Sequence, residues 1–133
     1  MIYRAQLCGG VKGVLWWQGE TDSVNNMTQS AYVSNMTALA AAVKTDLGCK
    51  LIPCKLKNFN GGAAEAIINA AIAQEWATDP NVLPGADLTN MVTDAGYHFY
   101  NDGNILTAST RWWNAINKDF YAPASGGTKR KTQ

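Results

Sequence analysis

Gln18, Glu20 and Asp22 gather around one glycine, Gly19, directly after the apolar run Val14-Leu15-Trp16-Trp17. An apolar run that stops in an amide and two carboxylates is how a buried parallel strand delivers side chains to a site at its carboxyl end. A strand used only for packing more often stops in ordinary turn residues. The Gln18 carboxamide can donate a hydrogen bond to a carbonyl oxygen that becomes negative during acyl transfer. Gly19 fits a close backbone approach or a positive φ angle. Glu20 and Asp22 suit a hydrogen-bond network beneath such a site. A pair of carboxylates of the glycosidase kind is the less favoured reading. Trp16 and Trp17 alternate across a strand and so face opposite sides. At least one belongs to the core, and a sugar-stacking platform is the minority reading. His98 is the single histidine, in Thr93-Asp94-Ala95-Gly96-Tyr97-His98-Phe99. Taken alone, it is more readily a structural residue than a catalytic one.

These residues need a scaffold, and the periodicities supply one. Residues 1–7 read as the end of a helix closed by Gly9-Gly10, and 11–17 as a strand. The polar stretch 21–29 reads as a loop, with Ser30 as N-cap of a helix over 31–47. Tyr32, Met36, Leu39, Val43 and Leu47 recur there at steps of three and four, and Gly48 ends it. A second strand covers 50–56. Pro53 within it marks the strand start or an edge position. The segment 58–62 is a loop. A helix over 63–78 turns Ile67, Ile68, Ala71, Ile72 and Trp76 to one side, and Asp79-Pro80-Asn81 breaks it. A short third strand at 82–88 is interrupted by Pro84-Gly85. After a polar loop at 93–103, a last helix over 104–117 faces Ile105, Ala108, Trp112 and Ile116 inward, with Asp102 as its cap. This alternation implies an α/β fold, a small parallel sheet with helices on both faces.

The bulk properties narrow the classes. The chain has 133 residues, a net charge of +1 and 47% hydrophobic residues. This is one domain's length with enough apolar material for a core. A near-neutral charge gives no sign of a nucleic-acid partner. There is no apolar stretch of about 20 residues for a membrane span, and no signal-peptide pattern after Met1. Lys129-Arg130-Lys131 belongs to a solvated tail, so we expect a domain over 1–122 and a flexible basic tail over 123–133. Cys8, Cys49 and Cys54 lack Cys-x-x-Cys spacing and are odd in number, against a disulfide framework or a zinc site. All three read as small buried hydrophobes. The Asn-x-Thr sequons at Asn26 and Asn35 are short enough to arise by chance, and Asn35 sits in an expected helix.

The stretch Trp16-Trp17-Gln18-Gly19-Glu20-Thr21-Asp22 resembles the W-x-Q-G-E-[ST]-[DN] signature of the sialate O-acetylesterase-like carbohydrate esterases of the SGNH/GDSL hydrolase superfamily. The resemblance implies a flavodoxin-like, three-layer α/β/α domain, here incomplete, because such domains carry about five strands. It implies an acetylated carbohydrate as substrate, with no metal and no cofactor. It assigns Gln18 to the oxyanion hole, with Gly19, Glu20 and Trp17 on the substrate side. It makes His98 the general base for a serine nucleophile, since a serine hydroxyl attacks only when an imidazole takes its proton. The family places an aspartate three residues before that histidine. Here Asp94 lies four before His98, and a backbone carbonyl or Asp102 is the alternative partner. Trp112-Trp113 matches an "RWW" in the family's last helix, where packing is role enough.

The family's nucleophile block, a strand ending in a tight glycine–serine turn, has no match. Ser23, Ser30, Ser34, Ser109 and Ser125 do not follow a strand in such a turn. We therefore expect the carboxyl-terminal part of an esterase domain, its serine supplied by the missing amino-terminal half or another chain. Phage tail-associated or secreted polysaccharide-processing proteins are plausible parents. The alternative is a catalytically inactive carbohydrate-binding or assembly domain that retains the fold.

Overall fold

Two short apolar segments separated by a long helix have the crossover that parallel pairing requires. The computed structural model, which describes residues 5, 7–57, 63–91 and 102–121, shows this arrangement. Strand β1 (Gly13–Trp16) pairs in parallel with β2 (Lys50–Pro53), Val14 opposite Leu51 and Trp16 opposite Pro53. Between them lie α1 (Glu20–Val24) and α2 (Gln29–Leu47). Helices α3 (Ala63–Thr78) and α4 (Asp102–Phe120) follow. Ahead of the sheet, Ala5 and Leu7 are helical and the Gly10 N–H reaches the Ala5 carbonyl, as expected of a helix end.

The expected third strand exists as two parallel bridges, Leu51 with Val82 and Lys55 with Asp87. The donor missing at Pro53 explains the interruption. Leu51 N–H bonds the Asn81 carbonyl and Lys55 N–H bonds the Ala86 carbonyl. Pro53, midway between them, has no N–H to offer. At this gap the backbone of Gly85 closes on Pro53, and a Cβ at Gly85 would run into the Pro53 carbonyl. Pro53 is therefore the last residue of an inner strand, neither its start nor an edge residue. The Trp76 indole donates to the Pro53 carbonyl at 3.0 Å, tying α3 to that strand end.

The helices pack around this sheet in two apolar clusters. One cluster joins Tyr32, Met36, Ala40 and Val43 of α2 to Leu51, Leu56, Ile68, Ala71 and Ile72, with Val14 and Trp16 packed against it. A smaller cluster joins Cys54, Ala86, Leu88 and Met91 to Ala108, with Trp112 beside it. Alternation along β2 sends Leu51 to the first cluster and Cys54 to the second. The described residues thus form an α/β arrangement around a small parallel sheet, and no helix among them is long and apolar enough to cross a membrane.

Several expectations need correction. Residues 20–24 are helical where a loop was expected. Glu20 and Asp22 suit a first helical turn, and the Ser23 hydroxyl bonds the Glu20 carbonyl at 2.7 Å. Thr28, not Ser30, caps α2: its hydroxyl accepts from the Ala31 N–H at 3.2 Å. Asp102 is the first residue inside α4 rather than its cap. Cys8 is exposed, while Cys49 and Cys54 are buried and unbridged. Ile67 and Ile105, expected inside, are 44% and 48% exposed, because α3 buries the neighbouring Ile68 stripe and α4 seats Ala108 instead. The expected loops at 58–62 and 93–101, and the tail at 123–133, lie outside the described residues.

Glu75 is buried at 2% exposure where α3 crosses α2. Its Oε1 accepts from the Thr37 hydroxyl at 3.1 Å, and among the described residues no donor reaches its Oε2. Burial pushes its pKa up, the Thr37 bond works against this, and the Asp79 carboxylate adds to it. A raised folded-state pKa means that the native chain holds a proton that the unfolded chain has released. That contribution to stability is complete below the ordinary carboxylate range and is lost as pH rises through the raised value. We expect denaturant midpoints of the wild type to fall between about pH 5 and pH 8, and Glu75→Gln to flatten that slope.

Candidate functional site

The polar cluster forms where β1 ends, and three contacts hold its backbone. Gly19 is buried, at φ 139°, a conformation that side-chain-bearing residues rarely adopt. A Cβ there would lie 2.9 Å from Leu56 Cδ1, 3.0 Å from Ile68 Cγ2 and 3.1 Å from the Tyr32 hydroxyl. The chain thus passes α2, α3 and the end of β2 at a distance only glycine allows. Tyr32 donates its phenolic proton to the Gln18 carbonyl at 2.9 Å. Burial pushes the Tyr32 pKa up, and the Asp22 carboxylate adds to the shift, so the phenol keeps its proton. Ser23 N–H then bonds the Gly19 carbonyl at 2.8 Å and starts α1.

Side chains of the cluster face a partly open rim. Gln18 is half-buried and donates from Nε2 to Asp22 Oδ2 at 2.7 Å. Trp17, 42% exposed, donates from its indole to Glu20 Oε1 at 3.1 Å. Trp16 packs against the larger cluster, so the two tryptophans divide between core and rim. Gln18, Gly19, Glu20 and Trp17 therefore stand together at the carboxyl end of β1. His98 and Asp94 lie outside the described residues. Ser23, the serine nearest the cluster in sequence, is buried at 2% exposure, with its hydroxyl proton directed to the Glu20 carbonyl.

Lys57, Glu65 and Asn69 complete the floor of this region, and none was singled out in the sequence. Asn69 grips the backbone at the end of the β2 segment, accepting from Leu56 N–H at 2.7 Å and donating to the Leu56 carbonyl at 2.9 Å. Lys57 follows, 2% exposed. Burial pulls its pKa below the ordinary lysine range, against the Glu20 and Glu65 carboxylates, which hold it up. Glu65, in the first turn of α3, is 1% exposed, and among the described residues no donor bonds either carboxylate oxygen. The same burial pushes the Cys54 thiol up, with Glu20 adding to it, so Cys54 stays protonated. The signal for Lys57 was available: it follows the apolar stretch 51–56 as Gln18 follows 14–17. Among the described residues no group of three or more His, Cys, Asp or Glu could hold a metal ion.

A strand end that offers a fixed carboxamide donor beside buried charges is suited to stabilising a developing negative oxygen. The family model described as carbohydrate esterase, sialic acid-specific acetylesterase, matches residues 1–110. The chain belongs to this carbohydrate esterase family. Comparison with curated proteins and with solved structures gave no match.

Two substitutions test the seating of the turn. Gly19→Ala places a methyl against three neighbours at a strained φ, and we expect a loss of about 3 kcal/mol in denaturant unfolding. Tyr32→Phe removes one hydrogen bond while keeping the ring, and we expect a loss of about 1 kcal/mol in the same measurement.

Proposed function

We propose that this chain is the carboxyl-terminal part of a carbohydrate O-acetylesterase of the three-layer SGNH type, working by serine acyl transfer. Its substrate is an acetyl ester on a sugar. The serine comes from a segment outside this chain. In this scheme the serine oxygen attacks the acetyl carbonyl while His98 takes the hydroxyl proton, with Asp94 orienting the imidazole. The carbonyl oxygen becomes an oxyanion facing the Gln18 carboxamide. Collapse expels the sugar hydroxyl, which receives the proton from His98, and leaves an acetyl-serine. Water, deprotonated by His98, then releases acetate and restores the serine.

The observation that carries this reading is Gln18, held at backbone and side chain at the carboxyl end of a parallel strand in a chain of the esterase family. The state of Ser23 supports a nucleophile from elsewhere, because that hydroxyl is buried and engaged. The surface of β1 supports a completing segment beside it. Leu15, which alternates away from the larger cluster, is 51% exposed in the middle of the strand. Among the described residues β1 is hydrogen-bonded along one edge only, to β2, and such an edge beside an exposed leucine invites another strand. Glu20 and Trp17 border the position a sugar would take.

Hydrolysis of p-nitrophenyl acetate tests the reading, with mass spectrometry of the sample to reveal any co-purifying serine-bearing segment. We expect no turnover by the chain alone and turnover by the completed domain. His98→Ala should lower the latter by about 10²–10⁴-fold, and Gln18→Ala by about 10²–10³-fold. A completed domain without turnover, or one indifferent to His98→Ala, would mean an inactive carbohydrate-binding or assembly domain instead.

A further inference from the structure

We infer that Asp22 is a positioning residue that fixes which end of the Gln18 carboxamide faces the substrate. The inference rests on the esterase reading above and extends it to a residue with no role in that scheme. A glutamine amide can rotate by half a turn and exchange its oxygen and nitrogen at little cost in shape. In an oxyanion hole that exchange is ruinous, because it sets the amide oxygen against a developing negative oxygen. Something must choose the orientation.

Asp22 makes the choice. An ionised carboxylate accepts hydrogen bonds and donates none. The 2.7 Å contact between Gln18 Nε2 and Asp22 Oδ2 therefore survives in one amide orientation only. The flipped amide would bring two oxygens together. One N–H of Nε2 is used in this bond, and the second remains for an acyl oxygen. Asp22 is itself well held: it lies in the first turn of α1, and its carbonyl accepts from Met27 N–H at 2.9 Å. The Gln18 main-chain carbonyl is fixed separately by Tyr32 at 2.9 Å. Backbone and carboxamide are thus anchored by different residues, and among the described residues Asp22 is the one bonded to the amide end. Neither of the other described carboxylates nearby does this work. Glu20 receives the Trp17 indole at 3.1 Å, and no described donor reaches Glu65.

The test uses the nitrogen-15-labelled chain, with the Gln18 side-chain amide assigned by its disappearance in Gln18→Leu. Two well-separated Nε2 proton signals are expected for the wild type. Asp22→Ala should collapse them toward the values of a freely rotating glutamine. Asp22→Asn presents both an acceptor and a donor, so it can hold the amide in either orientation and should not restore the wild-type pair of signals. Kinetics on the completed esterase domain supply the second reading. Asp22→Ala should lower kcat by at least about tenfold with KM little changed, and Asp22→Asn should also stay well below the wild type, because it can hold the flipped amide as well. Gln18 signals unmoved by Asp22→Ala overturn the positioning role, whatever the activity. Collapsed signals with an unchanged kcat overturn its catalytic consequence and leave the esterase reading standing. A full wild-type rate in Asp22→Asn, which keeps an acceptor but not the choice of amide end, overturns the orienting role. Absence of turnover in the wild-type domain overturns the esterase reading, and the donor role falls with it.

Discussion

The contact on which this structure depends is the passage of Gly19 between Leu56, Ile68 and Tyr32. At that point the chain leaves β1, meets the helix that follows it, and touches both the end of β2 and the helix beyond. A backbone held this tightly on three sides cannot drift, so the side chains on either side of it inherit a fixed direction. Gln18 precedes the contact and Glu20 follows it. The Tyr32 hydroxyl serves twice, as a wall of the glycine slot and as a donor to the Gln18 carbonyl. Core packing and site geometry are therefore the same set of contacts, which is how a rigid scaffold holds a reactive group within tenths of an ångström.

Beneath that turn the charges are arranged in a dry environment. Lys57 and Glu65 are both nearly inaccessible, and Glu20 reaches them from the rim. Buried charges of this kind rarely stabilise a fold relative to apolar residues of the same size. Their presence fits a region built for electrostatics, since charges act more strongly where water is excluded. The positive charge of Lys57 also offsets the carboxylates of Glu20 and Glu65.

Much of this was legible in the sequence, for identifiable reasons. Helix α3 covers the expected range because Asp79-Pro80-Asn81 can only end a helix and the Ile68, Ala71, Ile72 stripe is unambiguous. Gly48 closes α2 with φ 69°, as a helix-terminal glycine should. The positive φ at Gly19 followed from its place after an apolar run. Helix α1 was missed because threonine, aspartate and serine favour turns in isolation; here the seating of Gly19 and the Ser23 side chain start the helix. Pro53 misled because its missing donor suggested an edge, whereas the fold answers it by breaking the neighbouring segment at Gly85. Glu65 was invisible because nothing local distinguishes a buried charge from a solvated one, whereas Lys57 is marked by its place after the second strand segment. The amide partner of Gln18 likewise needed three dimensions, since it depends on residues 20–24 being helical.

The central claim is that Gln18 and His98 serve one reaction at one end of the sheet. An experimental structure of the completed domain, inactivated by a serine-directed phosphonate, tests this most directly. The account predicts a phosphoryl oxygen within about 3 Å of Gln18 Nε2 and the His98 imidazole on the side of the departing group. A phosphonate bound away from Gln18, or His98 on the opposite side of the sheet, would contradict it.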